Sequence, residues 1–204
     1  MRCANPWRAP KPYPVGIGHR SAAPGDLDAD GDVNLVLCTS LAEGQGVEVL
    51  RNEGNETFTR LGMFGTGCLG GVELGDVDGD GDLDVVVTAR NSSQLLVFLG
   101  DGAGNLAFRA ASAIASPRRV ELGDVDGDGE LDAVVWEYAG YPVCGTKVSI
   151  LLNDGFGSFA VTGSRTCPGG STAGGRWAMW TGMATSTWSH PPTPPSTTPD
   201  PCGC

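Results

Sequence analysis

The chain has 204 residues, 40% of them hydrophobic and 18% charged, with 32 Gly, 14 Pro and 7 Cys. That apolar share can fill a core and excludes wholesale disorder, and the length suits one domain or two. With 24 acidic against 13 basic residues, the formal charge of −11 excludes a nucleic-acid partner, because phosphate recognition needs Lys and Arg in excess.

Residues 1–14 are Pro-rich and lack an apolar central block, so they do not read as a secretory signal; the chain is either cytosolic or starts downstream of its true beginning. No apolar run approaches the ~20 residues of a membrane span. From residue 15 onward the chain repeats. Asp26-Leu-Asp-Ala-Asp-Gly-Asp-Val-Asn34 returns as Asp76-Val-Asp-Gly-Asp-Gly-Asp-Leu-Asp84 and as Asp124-Val-Asp-Gly-Asp-Gly-Glu-Leu-Asp132, with starts 50 and 48 residues apart. A fixed period of this size marks a repeat architecture.

Each acidic loop leads into a short β-branched run, Leu35–Cys38, Leu83–Val87 and Leu131–Trp136, which predicts a strand. A second apolar run follows (Val47–Leu50, Leu95–Leu99, Val148–Leu152). It ends in a turn rich in Gly, Asn and Asp and then a Phe-bearing segment: Arg51-Asn-Glu-Gly-Asn55, Gly100-Asp-Gly-Ala-Gly-Asn105 and Asn153-Asp-Gly-Phe-Gly-Ser158. Counting the strand entering each loop (Val72–Leu74, Val120–Leu122), every unit has about four antiparallel strands. No segment has capped 3.6-residue periodicity, so almost no helix is expected. The fold class is all-β, with three propeller-type blades at about 15–62, 63–112 and 113–165 forming a partial propeller. An open sheet stack or solenoid is the alternative all-β reading.

Carboxylates at loop positions 1, 3 and 5, Gly at 6, and a carboxylate or amide at 9 suit a hard cation that takes 6–8 oxygens. The candidate ligands are Asp26, Asp28, Asp30 and Asn34; Asp76, Asp78, Asp80 and Asp84; and Asp124, Asp126, Asp128 and Asp132. Position 7 (Asp32, Asp82, Glu130) is expected to offer its backbone carbonyl. The loops hold 14 of the 24 acidic residues, so the excess negative charge resides in them, where it repels itself without a cation. A plain solvated turn does not explain alternation kept three times. Position 12 is Leu37, Val87 or Val135, not the bidentate Glu of an EF-hand, and a period near fifty excludes a nonapeptide β-roll. About three Ca²⁺ sites are expected.

These motifs resemble the FG-GAP or VCBS-type repeat, related to the β-propeller of integrin α subunits, over residues ~15–162. The resemblance implies Ca²⁺ between the first two strands of a blade in a stabilising role, and extracellular or cell-surface placement. It implies a non-catalytic module for binding or adhesion to a protein or carbohydrate ligand. A closed ring needs more blades, commonly about seven, so further blades of an intact protein are expected partners. Asn34 departs from the usual Asp at position 9. The alternative is a propeller portion of a larger secreted enzyme, a polysaccharide lyase or hydrolase.

Residues 166–204 fit none of this, with three of the five Trp between Trp177 and Trp188. Joining the third base of each codon to the first two of the next lets residues 177–189 read Gly-Asp-Val-Asp-Gly-Asp-Gly-Asp-Leu-Asn-Leu-Val, a fourth acidic loop near the expected period. A frameshift between Phe159 and Trp177 explains this; otherwise the Pro/Thr-rich end is a linker. The Cys residues show no zinc spacing; Cys38 reads as a small buried residue, and disulfide pairing stays open, with Cys144 one candidate. Only His19 and His190 could serve a Ser-His-Asp or Cys-His device, so catalysis of that type is not expected. Trp136, Tyr138 and Tyr141 read as core-packing and loop-anchoring residues before ligand contacts.

Overall fold

The computed structural model describes residues 18–41, 44–55, 57–65, 70–138 and 145–168. The chain divides into two units, Met1–Gly170 and Ser171–Cys204, and every described residue belongs to the first. The described residues hold twelve strands and no helix. They are β1 (His19–Gly25), β2 (Asn34–Leu41), β3 (Gly44–Asn52), β4 (Phe58–Phe64), β5 (Val72–Gly75), β6 (Asp84–Ala89), β7 (Gln94–Gly100), β8 (Leu106–Ala113), β9 (Pro117–Gly123), β10 (Asp132–Tyr138), β11 (Gly145–Asn153) and β12 (Phe159–Pro168). They form three four-stranded sheets in the orders β1-β2-β3-β4, β5-β6-β7-β8 and β9-β10-β11-β12, antiparallel throughout. These are three propeller-type blades that do not close a ring.

The sheets are copies in register as well as in order. Gly25, Gly75 and Gly123, each just before an acidic loop, pair with Asn34, Asp84 and Asp132 just after it. The outer hairpins pair Asn52 with Phe58, Gly100 with Leu106 and Asn153 with Phe159, so each turn has the same length. A register shift falls at Val49/Leu50, Val97/Phe98 and Ile150/Leu151, the same step of every blade. Such a bulge strengthens local twist and bends the outermost strand.

Two apolar layers hold the sheets together. Between the first and second lie Val36, Cys38, Val47, Val49, Val85, Val87, Leu96 and Phe98; between the second and third lie Val86, Leu95, Val97, Val120, Ala133, Val135 and Leu151. The alternating β6 and β7 side chains thus feed both layers, and every residue of β6 is buried. Each buried Val or Leu contributes roughly 1.5–3 kcal/mol against its exposed state. Strands β1, β5 and β9 follow one another side by side across the blades, and β8 meets β12 farther out. β8 and β12 are mostly exposed edge strands.

Two buried carboxylates are paired: Glu48 takes Arg60 at 2.7 Å and faces His19 at 3.9 Å, while Glu137 accepts from Lys147 at 3.1 Å and from Ser149. Cys38 is buried, as expected, and also disulfide-bonded, which sequence reading left open. Tyr138 is exposed beneath the Arg118 guanidinium, 4.7 Å from its ring centre, and Trp136 is half-buried; neither belongs to the two apolar layers, which corrects the core-packing part of the expectation. Tyr141, Cys3, Cys68, Cys144, Cys202, Cys204 and His190 lie outside the described residues.

Candidate metal centres

Each acidic loop joins the first two strands of its blade, and its own amides shape it. In the second loop the Asp76 carboxylate accepts from Gly79 at 2.7 Å and Gly81 at 3.0 Å; in the third Asp124 accepts from Gly127 at 2.6 Å and Gly129 at 3.2 Å. In the first Asp26 accepts from Gly31 at 3.0 Å. The glycine at position 6 (Gly31, Gly81, Gly129) has φ of +91°, +95° and +97°, a left-handed turn that wraps the loop round position 1. Position 4 is Gly79 and Gly127 in two loops but Ala29 at φ +53° in the first, a strained choice.

These turns bring carboxylates together. Oxygens of Asp26, Asp28 and Asp30 lie within 4.8 Å of one another, as do those of Asp76, Asp78 and Asp84, and of Asp124, Asp126 and Asp132. Asp80 and Asp128 are not in these groups; they accept from the amides of Asp82 and Glu130, both at 2.9 Å. The side chains of Asp32, Asp82 and Glu130 lie against Gly54, Gly102 and Gly155 in the outer turn of their own blade.

Position 9 does more than the sequence revealed. Asp84 is fully buried, and its two oxygens accept from Val77 at 2.8 Å and Gly100 at 2.9 Å; Asp132 does the same with Val125 at 2.9 Å and Asn153 at 3.0 Å. This residue ties its loop to the start of the outer turn. Asn34 keeps half of the clamp, accepting from the Asn52 amide at 2.8 Å, and donates through Nδ2 to Asp28 at 2.9 Å. An amide thus replaces a fourth carboxylate, which lowers the negative charge of the first group.

The electrostatics suit a cation. Burial, reinforced by the charges of Asp78 and Asp80, pushes the Asp84 carboxyl up to about 6 against the Val77 and Gly100 amides. Asp78 is raised by desolvation and by Asp80, and Asp126 by desolvation and its loop carboxylates. The Asp26 Oδ1 is buried with no hydrogen-bond partner, which is costly for an ionised oxygen unless a cation meets it. By contrast Asp101 is lowered by hydrogen bonds from Asn105 and Ala103; Asp154 is lowered too, the Ser158 and Phe156 amides outweighing its burial.

The loops also carry the contact between blades. The Gly104 amide in the second blade's outer turn donates to the Leu27 carbonyl at 3.0 Å, and the Gly157 amide in the third donates to the Val77 carbonyl at 3.0 Å. Asn153 adds an Nδ2 bond to the same Val77 carbonyl at 2.8 Å. Leu27 and Val77 each stand between two candidate ligands. Away from the loops, a cleft of about 570 Å³ lies over the outer strands of the first two blades, with Phe64, Gln94, Phe98 and the exposed Phe108 among its walls.

A family model for the FG-GAP-like repeat matches residues 26–87 and 76–135, each stretch running from one acidic loop into the strand after the next. Together these cover just over half of the chain, which therefore belongs to the FG-GAP-like repeat family. Comparison with curated proteins gives no match. No helix among the described residues is long and apolar enough to cross a membrane.

Proposed function

We propose that the chain is a non-catalytic, calcium-stabilised β-propeller-repeat module that supports binding or adhesion outside the cell. The single observation that carries the metal reading is the threefold recurrence of a carboxylate group within 4.8 Å, one of whose members in two loops is fully buried. Asp26, Asp28 and Asp30, Asp76, Asp78 and Asp84, and Asp124, Asp126 and Asp132 would hold the ion, with Asn34, Asp80, Asp128 and the position-7 backbone completing the shell. Bound Ca²⁺ would neutralise the carboxylates and stiffen the loops. Oxidised Cys38 supports an oxidising, extracellular setting over the cytosol. The Phe108 cleft is the candidate surface for a protein or carbohydrate ligand.

The blades are taken as residues 15–62, 63–112 and 113–165, and residues 166–204 as an out-of-frame fourth repeat, which resequencing the source DNA past codon 150 tests. Calorimetric titration of the full chain tests the metal. About three ions are expected to bind, and Asp78→Ala with Asp126→Ala should leave about one. No heat at millimolar Ca²⁺, or a double variant that binds as before, overturns the reading.

A further inference from the structure

Two asparagines outside the acidic loops stand two residues before a hydroxyl with no proline between: Asn55-Glu56-Thr57 and Asn91-Ser92-Ser93. The chain's other asparagines, Asn5, Asn34, Asn52, Asn105 and Asn153, have Trp7, Val36, Gly54, Ala107 and Gly155 at that place. Asn-x-Ser/Thr is the acceptor pattern for a sugar chain joined to the asparagine amide. A three-residue pattern arises by chance, so its place in the fold decides.

The fold sets both asparagines in turns, where a bulky polar group can stand in water. Asn55 is exposed in the outer turn between β3 and β4, which the Glu53 amide closes by donating to the Thr57 carbonyl at 3.0 Å. There the exposed Thr57 hydroxyl donates to Asn55 Oδ1, so the amide and the hydroxyl of the triplet meet on the surface. Asn91, Ser92 and Ser93 are all exposed in the turn between β6 and β7, at the far end of β6 from its acidic loop. The Ser93 amide donates to the Arg90 carbonyl at 3.3 Å, and Ser93 takes φ +55°. Neither asparagine lies in a strand or in an acidic group. By contrast Asn34 and Asn153 are buried and spend their side chains on hydrogen bonds to the backbone. Asn91 and Ser92 also belong to the wall of the Phe108 cleft, so a sugar chain rooted at Asn91 borders that surface.

We infer that Asn55 and Asn91 are acceptors of N-linked oligosaccharide. The donor is a glycosyl diphosphate, used by a transferase that serves exported chains. In the transfer the asparagine Nδ2 forms a bond to the sugar C1 and the C1–O bond to the diphosphate breaks. The diphosphate leaves with that electron pair, and one Nδ2 proton passes to the transferase's base. This inference rests on the extracellular reading and is independent of the proposed ion.

Export of the full chain through an added leader, from a cell that attaches N-glycans, tests it. Enzymatic release of glycans in heavy-oxygen water marks each former carrier as labelled Asp, read by peptide mass spectrometry. Asn55 and Asn91 are expected to carry the label. Asn105, exposed at the end of the second blade's outer turn but without the hydroxyl, should stay unlabelled. Thr57→Val and Ser93→Asn should each remove one glycan and one step of gel mobility, whereas Thr57→Ser should keep its glycan. Circular dichroism confirms that each variant is folded. An exported, folded chain bare at Asn55 or Asn91, or a glycan that survives Thr57→Val or Ser93→Asn, overturns the assignment of that residue. Glycans on the exported chain with none on the chain isolated from its own source overturn the extracellular reading instead, and the modification in nature with it.

Discussion

The second and third acidic loops differ by one residue in nine, Asp82 against Glu130, yet they occupy different surroundings. Both wrap a position-1 carboxylate with two glycine amides and clamp position 9 to the outer turn. Val77 is fully buried beneath the third blade, whereas Val125 is 46% exposed. Loop shape is therefore local, written by Asp and Gly within nine residues, while the burial of the loop is imposed by the next blade. The same sequence motif serves as an ion candidate everywhere and as a packed joint only where a neighbour follows.

The comparison breaks most visibly at position 2. Val77→Asp would bury a charge between Asp76 and Asp78 and should cost upward of about 4 kcal/mol, unfolding the chain or separating its third blade; Val125→Asp should stay within about 0.5 kcal/mol. Urea melts of the two variants check this. A smaller contrast lies in the glycines that end the inner strands. Gly75→Ala pushes the ends of Leu122 and Leu131 and should cost about 1 kcal/mol, while Gly123→Ala should be silent in the same melts.

Protonation sharpens the contrast further. The folded Asp84 carboxyl, pushed up to about 6, lies above its usual value of 3.8, so without metal the folded state favours the proton. Its contribution to stability is complete at pH below about 4 and is lost as pH rises through about 6. Calcium competes with that proton, so affinity at the second loop should rise about tenfold from pH 5 to pH 7, read by titration in the Asp126→Ala background. The smallest effect concerns the first loop. Ala29→Gly relieves a positive-φ alanine, offset in part by the freer unfolded chain, and should raise stability by about 0.5 kcal/mol, seen as a higher melting temperature.

The sequence made the blades legible because strand, loop and turn signals are short-range. β-branched runs located β2, β6 and β10, and Asp-x-Asp-x-Asp-Gly located the loops. β1, His-Arg-Ser-Ala-Ala-Pro-Gly, was counted but not placed, because it has no β-branched residue and is held by pairing with β2. The acidic groups were legible in all their members, at positions 1 and 3 and at 5 or 9. The double duty of Asp84 and Asp132 was not, since the amides they accept from lie up to 21 residues away. Nor was the joint between blades. Its one signal was the second turn glycine at 104 and 157, absent at Glu56, and its partner lies in another repeat where no local period reaches. Cys38 escaped for a similar reason, because a strand run shows burial but not oxidation.

Amide hydrogen exchange at Gly104 and Gly157, with and without calcium, tests most directly that an acidic loop is both ion site and seat for the next blade. Both amides should exchange slowly, and calcium should slow them by a further tenfold or so, because their acceptors Leu27 and Val77 lie between candidate ligands. Exchange at the rate of an open turn, or protection untouched by calcium, would contradict the account.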